Sequence, residues 1–535
     1  MVLLRRYGPV LLPWTIFLSL TWPTVDFGHH WDEDFFQIRP VRHAVERGLP
    51  MPGIYNYPGL GYWLNGACLT PALWADSDRG LRERLLAEVD SPDYSLRIRR
   101  IRVAATALVV VWVYLVLLEL RRTVWEALLA SFLVALSWEV IYHSRWPAND
   151  TLVMQFGMLA ALAAVYAAGR TESRAVLWSA AFGGLACGAK YPGGLALLPA
   201  LYVTLARGFQ VVVQSHGSWT AASWADRLRA LRRPWVMTLG AFTGFYLLTT
   251  PGTFLEFRLF RLGIRDMMRQ YWGGFQNFTI ERGPEHFLEL LRYLGTEGLS
   301  TAKLPATLAA LLAVGGLIHL WRQDRHRAAT LFILPVTYGA YFCTQRVMIV
   351  RNYMLLFPFL AVATALACGA LARRGKFPRA LIAVAAVGLI GYNLSWQIQA
   401  AETIRDRRES LDFNAELLAY LEKQPQRFAL SDGVREVLGA RADLNAADLT
   451  ADLRNAGNAD LAICLLSELG ERFPANRPEL FETWLGPREV NLMRYPAWAG
   501  QDRPVVLRYD VLKNVPAESQ GLCQTSPAVG SRAGE

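Results

Sequence analysis

The sequence has no phosphate-cradling glycine-rich loop closed by Lys-Ser or Lys-Thr, and no Rossmann fingerprint on its cytoplasm-facing segments. Chemistry driven by a bound nucleotide is thereby set aside, and no nucleotide cofactor is expected. Charge is scarce: 19% of the 535 residues are Asp, Glu, Lys or Arg, against roughly a quarter in ordinary soluble domains. The six cysteines lack metal-type spacing. Ionisable residues are sparse in the middle of the apolar segments, where Glu126, Glu139 and His319 lie near segment ends. Ion-coupled transporters keep such groups near the bilayer midplane, so this counts against a transporter. No internal repeat is visible.

What the sequence does have is apolar length. Hydrophobic residues make up 53% of the chain, gathered in long blocks from Tyr7 to Trp396. A bilayer core of about 30 Å takes roughly 20 apolar residues per helix. On this measure about 11 transmembrane helices are expected: Tyr7–Trp22, Ile101–Leu120, Val124–Tyr142, Thr151–Ala168, Ala175–Ala189, Pro192–Ala206, Pro234–Thr250, Leu304–Trp321, Ala328–Thr344, Met354–Leu371 and Ala380–Trp396. The fifth and sixth are short and joined by Lys190-Tyr191-Pro192, so one longer helix is the competing reading. The first span is read as a retained helix rather than a cleaved signal.

Charge gives the orientation. Arg5/Arg6, Arg121/Arg122, Arg170/Arg174, Arg207 with Arg227 to Arg233, Arg322 to Arg327, and Arg373 to Arg379 fall on alternate connections. This positive-inside pattern puts the N-terminus in the cytoplasm and accounts for most of the net charge of +10. A nucleic-acid partner is not expected. The location implied is a multi-pass cell membrane protein, of a bacterial inner membrane.

Residues 1–398 therefore form a transmembrane domain with two long outward loops, 23–100 and 252–302. In the second loop Arg258, Arg261, Arg265 and Arg269 recur at helical spacing among aromatic and aliphatic residues, the division of an interfacial helix on membrane lipids. Residues 399–515, with β-like runs at Arg427–Ser431, Leu461–Leu466 and Pro504–Tyr509, suggest a small extracytoplasmic α/β domain. The Ser-, Gly- and Ala-rich tail, 516–535, reads as disordered.

Four outward features carry candidate chemistry. The first is His29-His30-Trp31-Asp32-Glu33-Asp34, three adjacent carboxylates beside a membrane surface. An acid at the edge of a low-dielectric region can serve as general base or metal ligand; it can equally cap a helix. The second is Asp150, in the short loop after Arg145, with the same two readings. The third is the aromatic stretch Tyr55 to Trp63; Tyr57, Tyr62 and Trp63 suit sugar stacking, or an interfacial belt. The fourth is a set of cations on the side where they are disfavoured: Arg97, Arg99, Arg100 and Arg102, then Lys190 and Arg351. Such groups can hold a phosphate through charge-assisted hydrogen bonds; lipid headgroups would also satisfy them.

In order along the chain, these motifs resemble the membrane glycosyltransferases of the GT-C superfold, in particular family 39, the protein O-mannosyltransferases and their aminoarabinose-transferase relatives. Asp32-Glu33 before Phe35-Phe36, Tyr57-Pro58-Gly59-Leu60, Arg102, Ser144-Arg145 with Asp150, Gly188-Ala189-Lys190-Tyr191-Pro192, and Arg351-Asn352-Tyr353 with Pro358 carry the resemblance, as does Arg405-Asp406-Arg407. Gly59 replaces the family's second proline, and Asn352 interrupts its Arg-Tyr pair, which leaves the sugar open. The resemblance implies a polyprenyl-phosphate-linked sugar donor and a protein, lipid or polysaccharide acceptor. It gives Asp32 or Glu33 the role of base, with Asp150 in support. Lys190, Arg102, Arg145 and Arg351 are then the phosphate-binding cations. A divalent metal on Asp32 and Asp150 is left open. The competing reading is a flippase for lipid-linked saccharides, and a third is a non-catalytic assembly protein.

Overall fold

A computed structural model describes residues 2–26, 33–74, 78–170, 174–274 and 278–410, with five short strands farther on. Its contacts divide the chain into two units, Met1–Val25 with Asp32–Gln399, and Asp26–Trp31 with Ala400–Glu535.

A helix lies at each expected span of the first unit. Five are long and apolar enough to cross a bilayer: Asp93–Glu119, Asn149–Ala168, Tyr191–His216, Lys303–Gln323 and Lys376–Glu402. Val124–Ala135 and Trp138–Ser144 make a sixth if taken together, bent by 55°. Ala175–Ala189 and Leu356–Ala372 are shorter apolar helices. The chain is an integral, multi-pass, helical membrane protein.

Local chemistry explains the boundaries. The helix Pro92–Glu119 starts where the Ser91 side chain accepts from the Tyr94 amide, with Pro92 in the first turn and Asp93 at the positive end of the dipole. Thr123 and Glu126 form a capping box at Val124–Ala135. Glu126 is fully buried. Its carboxylate accepts from the Thr123 amide at 2.9 Å and from Arg373 Nη1 at 3.1 Å. Lys190 is extended (φ −155°, ψ 136°) and is followed by a 3₁₀ segment, Tyr191–Leu197. The fifth and sixth expected spans are therefore two elements, not one helix.

Inside a bilayer, helix packing depends on close contact rather than on expelling water. Small residues supply that contact. A Cβ on Gly193 would lie 2.2 Å from the Ala186 carbonyl oxygen, and one on Gly316 would lie 1.8 Å from that of Ala363. The buried core between the helices is built from residues such as Val113, Leu133, Met154, Met158, Leu334 and Phe357.

The two long loops, expected to face outward, fold against each other. Glu256, just past the helix Trp224–Thr249, accepts from Tyr55 Oη at 2.7 Å, from Arg47 Nη2 at 2.6 Å and from the Gly53 amide at 3.2 Å. Tyr191 Oη donates to the Tyr55 carbonyl at 2.9 Å. Gly252 and Gly263 lie so close to Tyr55 that a Cβ on either would clash with it. A backbone bridge, Thr279 to Val347, joins the second loop to the segment after Arg325–Cys343, and the Arg346 amide donates to the Tyr271 carbonyl at 2.9 Å.

In the second unit the strands are β1 Phe428–Leu430, β2 Ala447–Asp448, β3 Leu461–Leu465, β4 Phe481–Thr483 and β5 Pro504–Arg508, in the order β2-β1-β3-β5-β4. β1 runs parallel to β2 and β3; β5 runs antiparallel to β3 and β4. Three of the five coincide with the expected β-like runs. The remainder of 411–535, including the tail, lies outside the described residues.

Burial works to raise the Glu256 carboxyl, but the hydrogen bonds from Tyr55 and Arg47 outweigh it and leave the group below its ordinary value of 4.5. An acid lowered on folding adds stability above its unfolded value and loses it as pH falls through the folded one. Glu256→Gln is expected to cost about 1–3 kcal/mol at neutral pH. Thermal unfolding of both proteins across a pH series should show that gap narrowing as pH falls below 4.5.

Candidate active site

A buried charged cluster centres on Asp150, in the first turn of Asn149–Ala168. That helix has Ala148 at its N-cap and no side-chain cap bond. Asp150 instead takes Lys190 Nζ at 2.8 Å on one oxygen and stands 3.9 Å from Arg351 Nε on the other. Lys190 Nζ also donates to Asn352 Oδ1 at 2.6 Å, and Tyr271 Oη reaches the same oxygen at 3.4 Å. All four residues around the carboxylate, Asp150, Lys190, Arg351 and Asn352, are buried. Burial opposes the charge on Lys190, but the Asp150 carboxylate holds its ammonium above its ordinary range.

The backbone delivers these groups from three places, the first being the start of Asn149–Ala168. Lys190 projects from the extended residue between two helices, where Gly188 abuts Thr249. Arg351 and Asn352 come from the 3₁₀ turn Val350–Tyr353. That turn is held from below by His286, whose Nε2 meets the Tyr353 hydroxyl and whose Nδ1 lies 2.9 Å from the Gln345 carbonyl. Arg351 also lies over the Trp146 ring at 5.3 Å.

Lys190 opens onto a cavity of about 620 Å³. Tyr57, Tyr271, Trp272, Met267, Arg282 and Gln345 are among its walls. Tyr57 sits 5.8 Å below the Lys190 ammonium and packs edge-on against Phe36. An apolar, aromatic chamber with a cation at its inner end suits a ligand with a fatty body and an anionic head.

The other expected site residues divide into separate groups. Glu33 is buried and bound by Arg99, whose Nε lies 3.0 and 3.2 Å from its two oxygens; Arg99 Nη1 donates to the Val25 carbonyl at 2.8 Å. Arg102 is fully buried, with Nη2 near Asn65 Oδ1 at 3.2 Å and Gln37, Gly61 and Asn149 each at 3.4 Å; its Nε and Nη1 have no partner among the described residues. Asn149 precedes Asp150, so Arg102 reaches the central cluster through one residue. Arg145 donates to Thr24 Oγ1 at 2.9 Å and lies over Trp138 at 5.7 Å. Burial pulls its guanidinium down to about 9, still cationic at neutral pH. Tyr62 and Trp63 meet edge-to-face at 5.0 Å, and Trp63 Nε1 donates to the Thr249 carbonyl at 2.9 Å; neither lines the cavity. Arg97 pairs with Glu88. Asp32, with His29 and His30, lies outside the described residues.

Of the two residues expected to hold a divalent ion, Asp32 and Asp150, only Asp150 is among the described residues. Both oxygens of Asp150 face cations, and no group of three or more His, Cys, Asp or Glu gathers among the described residues. A hard cation wants several oxygen ligands and no ammonium beside them.

Sequence reasoning passed over several residues here. Asn352 read as an interruption; it is the second acceptor for Lys190. Met267, Tyr271 and Trp272 read as interfacial anchors; they wall the cavity, while Arg258, Arg261, Arg265 and Arg269 are exposed on the same helix. The i, i+3, i+4 division found the helix but not which apolar edge faced a chamber.

Comparison with known proteins bears on this arrangement. Residues 88–254 match the family model for dolichyl-phosphate-mannose-protein mannosyltransferase. That stretch, about a third of the chain, contains Arg102, Arg145, Asp150 and Lys190, and bears out the family resemblance there. Comparison with curated proteins returns no match. Among solved structures, the protein O-mannosyltransferase Pmt1-Pmt2 complex of S. cerevisiae, bound to the sugar donor, is similar with 18% identity and a TM-score of 0.36, over 49% of this chain and 35% of that one. The chain thus spans about a third of the yeast chain's length. ArnT from Cupriavidus metallidurans bound to undecaprenyl phosphate aligns over 94% of this chain and 98% of its own, with 12% identity and a TM-score of 0.47. Its apo form gives 13% and 0.46 over the same shares.

Removing one partner of a buried ion pair strands the other charge, at about 3–5 kcal/mol. Asp150→Asn strands two, so it should lower the thermal midpoint more than any other single change in the cluster. Adding Lys190→Met should restore part of the loss, as read by unfolding of single and double variants.

Proposed function

We propose that this chain is a membrane glycosyltransferase that moves a sugar from a polyprenyl-phosphate carrier to an acceptor hydroxyl at the extracytoplasmic face. The observation that carries the reading is the buried Asp150–Lys190–Arg351–Asn352 cluster, whose Lys190 lines an apolar, aromatic cavity. Two of its four residues, Asp150 and Lys190, fall in the segment that matches the mannosyltransferase family model. The fuller architecture belongs to the same proposal: eleven spans, the N-terminus in the cytoplasm, a small outward α/β domain over 399–515, and residence in a bacterial inner membrane.

In this reading the carrier's isoprenoid chain lies along the Met267, Met268 and Tyr271 wall, and its phosphate meets Lys190 and Arg351. Arg102 and Arg145 add to the positive field from their own pockets. The acceptor oxygen attacks the anomeric carbon while the bond from that carbon to the phosphate oxygen breaks. The electron pair leaves with the lipid phosphate, and the preorganised cations stabilise the growing charge. One direct displacement inverts the anomeric centre. The acceptor proton passes to a carboxylate of the first loop. Arg99 occupies both oxygens of Glu33, which favours Asp32 as base and gives Glu33 the task of fixing the segment that carries it. Asp150 keeps Lys190 charged and aimed. Tyr57 offers a ring to the sugar; Tyr62 and Trp63 support the loop behind it. No step is routed through a metal. The acceptor belongs to the protein, lipid or polysaccharide classes.

Full-length protein in nanodiscs, given radiolabelled polyprenyl-phosphate sugars, should release lipid phosphate. Lys190→Met and Asp32→Asn should each lower the rate by roughly 10²–10³, with Glu33→Gln less affected. A protein that moves labelled lipid between leaflets and leaves the glycosidic bond intact would replace this reading with a flippase. Unchanged turnover in Lys190→Met and Asp32→Asn would remove the site.

A further inference from the structure

A second cavity, of about 830 Å³, lies away from this site between the helices Lys303–Gln323, Leu356–Ala372 and Lys376–Ser410. Its lining is apolar along nearly its whole length, from Leu304 to Arg322, which is about 27 Å at 1.5 Å per residue. The last helix is fastened near one end. Ser300 Oγ donates to Asn393 Oδ1 at 2.8 Å, Asn393 Nδ2 to the Leu299 carbonyl at 2.8 Å, and Gln397 Nε2 to the Leu136 carbonyl at 3.3 Å. Toward its other end Phe377, Leu381 and Val384 are exposed by 78%, 59% and 71%. Gly315 and Gly388 face the groove, and a Cβ on either would meet nothing within 4 Å. The groove is therefore open by more than one side chain's width.

Its charged end is distinctive. Arg322 and Arg374 line it with His319. The neighbouring cations are taken: Arg373 by Glu126, and Arg122 by Gln323. Arg322 and Arg374 are exposed and make no ion pair among the described residues. This end belongs to the arginine-rich, cytoplasmic side of the charge pattern. Two guanidinium groups with no acid between them fit a phosphodiester. A zwitterionic headgroup would bring its own cation toward them; an anionic one would not.

We infer that this groove holds an acyl chain of an anionic glycerophospholipid from the cytoplasmic leaflet, with the lipid phosphate between Arg322 and Arg374. The inference rests on the chain spanning a membrane and not on the sugar-transfer reading. The lipid fills the wedge that the fastened helix leaves open, where lipid-facing side chains would otherwise lack packing partners.

The test is native mass spectrometry of the full chain in detergent, titrated with phosphatidylglycerol or phosphatidylcholine of identical acyl chains. The unaltered protein should retain one phosphatidylglycerol, preferred roughly tenfold. The double variant R322Q/R374Q should lose that preference. G315F, which adds a ring where the groove is open, should lose the lipid with the arginines intact. Equal retention of both lipids by the unaltered protein, a preference that survives R322Q/R374Q, or a lipid that survives G315F overturns the assignment. So does a lipid-free protein dimer that G315F disrupts, since a second copy would then be the occupant.

Discussion

A buried carboxylate with two cations around it sets the terms for one end of the membrane unit. Asp150 cannot stand in a bilayer without Lys190, and Lys190 with Arg351 would repel each other without Asp150. Three separate pieces of chain must therefore meet: the start of one helix, the extended break between two others, and a 3₁₀ turn near residue 351. The net charge of the group favours one further anion. A fully neutralised cluster would serve as structure alone; one with a surplus cation beside a cavity is a binding site in waiting.

The surrounding features serve that meeting. The break at Lys190 exists because Pro192 cannot continue a helix and Gly193 lets the two arms pack within contact of Ala186. His286 braces the turn that bears Arg351 and Asn352 through the Tyr353 hydroxyl. Arg102 and Glu33 lie in pockets of their own, linked to the centre by Asn149 and by the first-loop helix. The cations are thus spread among several pockets around one acid, which keeps their mutual repulsion tolerable.

Much of this was legible beforehand. Each apolar block coincides with a helix, five of them long and apolar enough to cross a bilayer, and the extended residue at Lys190 separates the two short blocks that could have been one helix. Lys190, Asp150 and Arg351 stood out because a charge at the outer edge of a span needs a cause. What stayed hidden depended on direction rather than composition. Asp150 near a helix start has two uses, capping or pairing, and only the position of Lys190 decides between them. Tyr62 and Trp63 look like sugar platforms beside Tyr57, yet Trp63 turns toward the Thr249 carbonyl and Tyr62 packs against the cluster of Ile38, Val41 and Tyr94. The 55° bend inside the third span left no proline or glycine as a sign; Ser137 turns there to reach the Gly298 carbonyl.

Glu256 ties Arg47, Gly53 and Tyr55 to the start of the second outward loop. Tyr57 is two residues beyond Tyr55, and Met267 and Tyr271 are about three and four helical turns beyond Glu256. Both sides of the cavity are consequently mounted on one mechanical frame. Any guest would meet two walls tied together through Glu256, so its girth counts there alongside its charge.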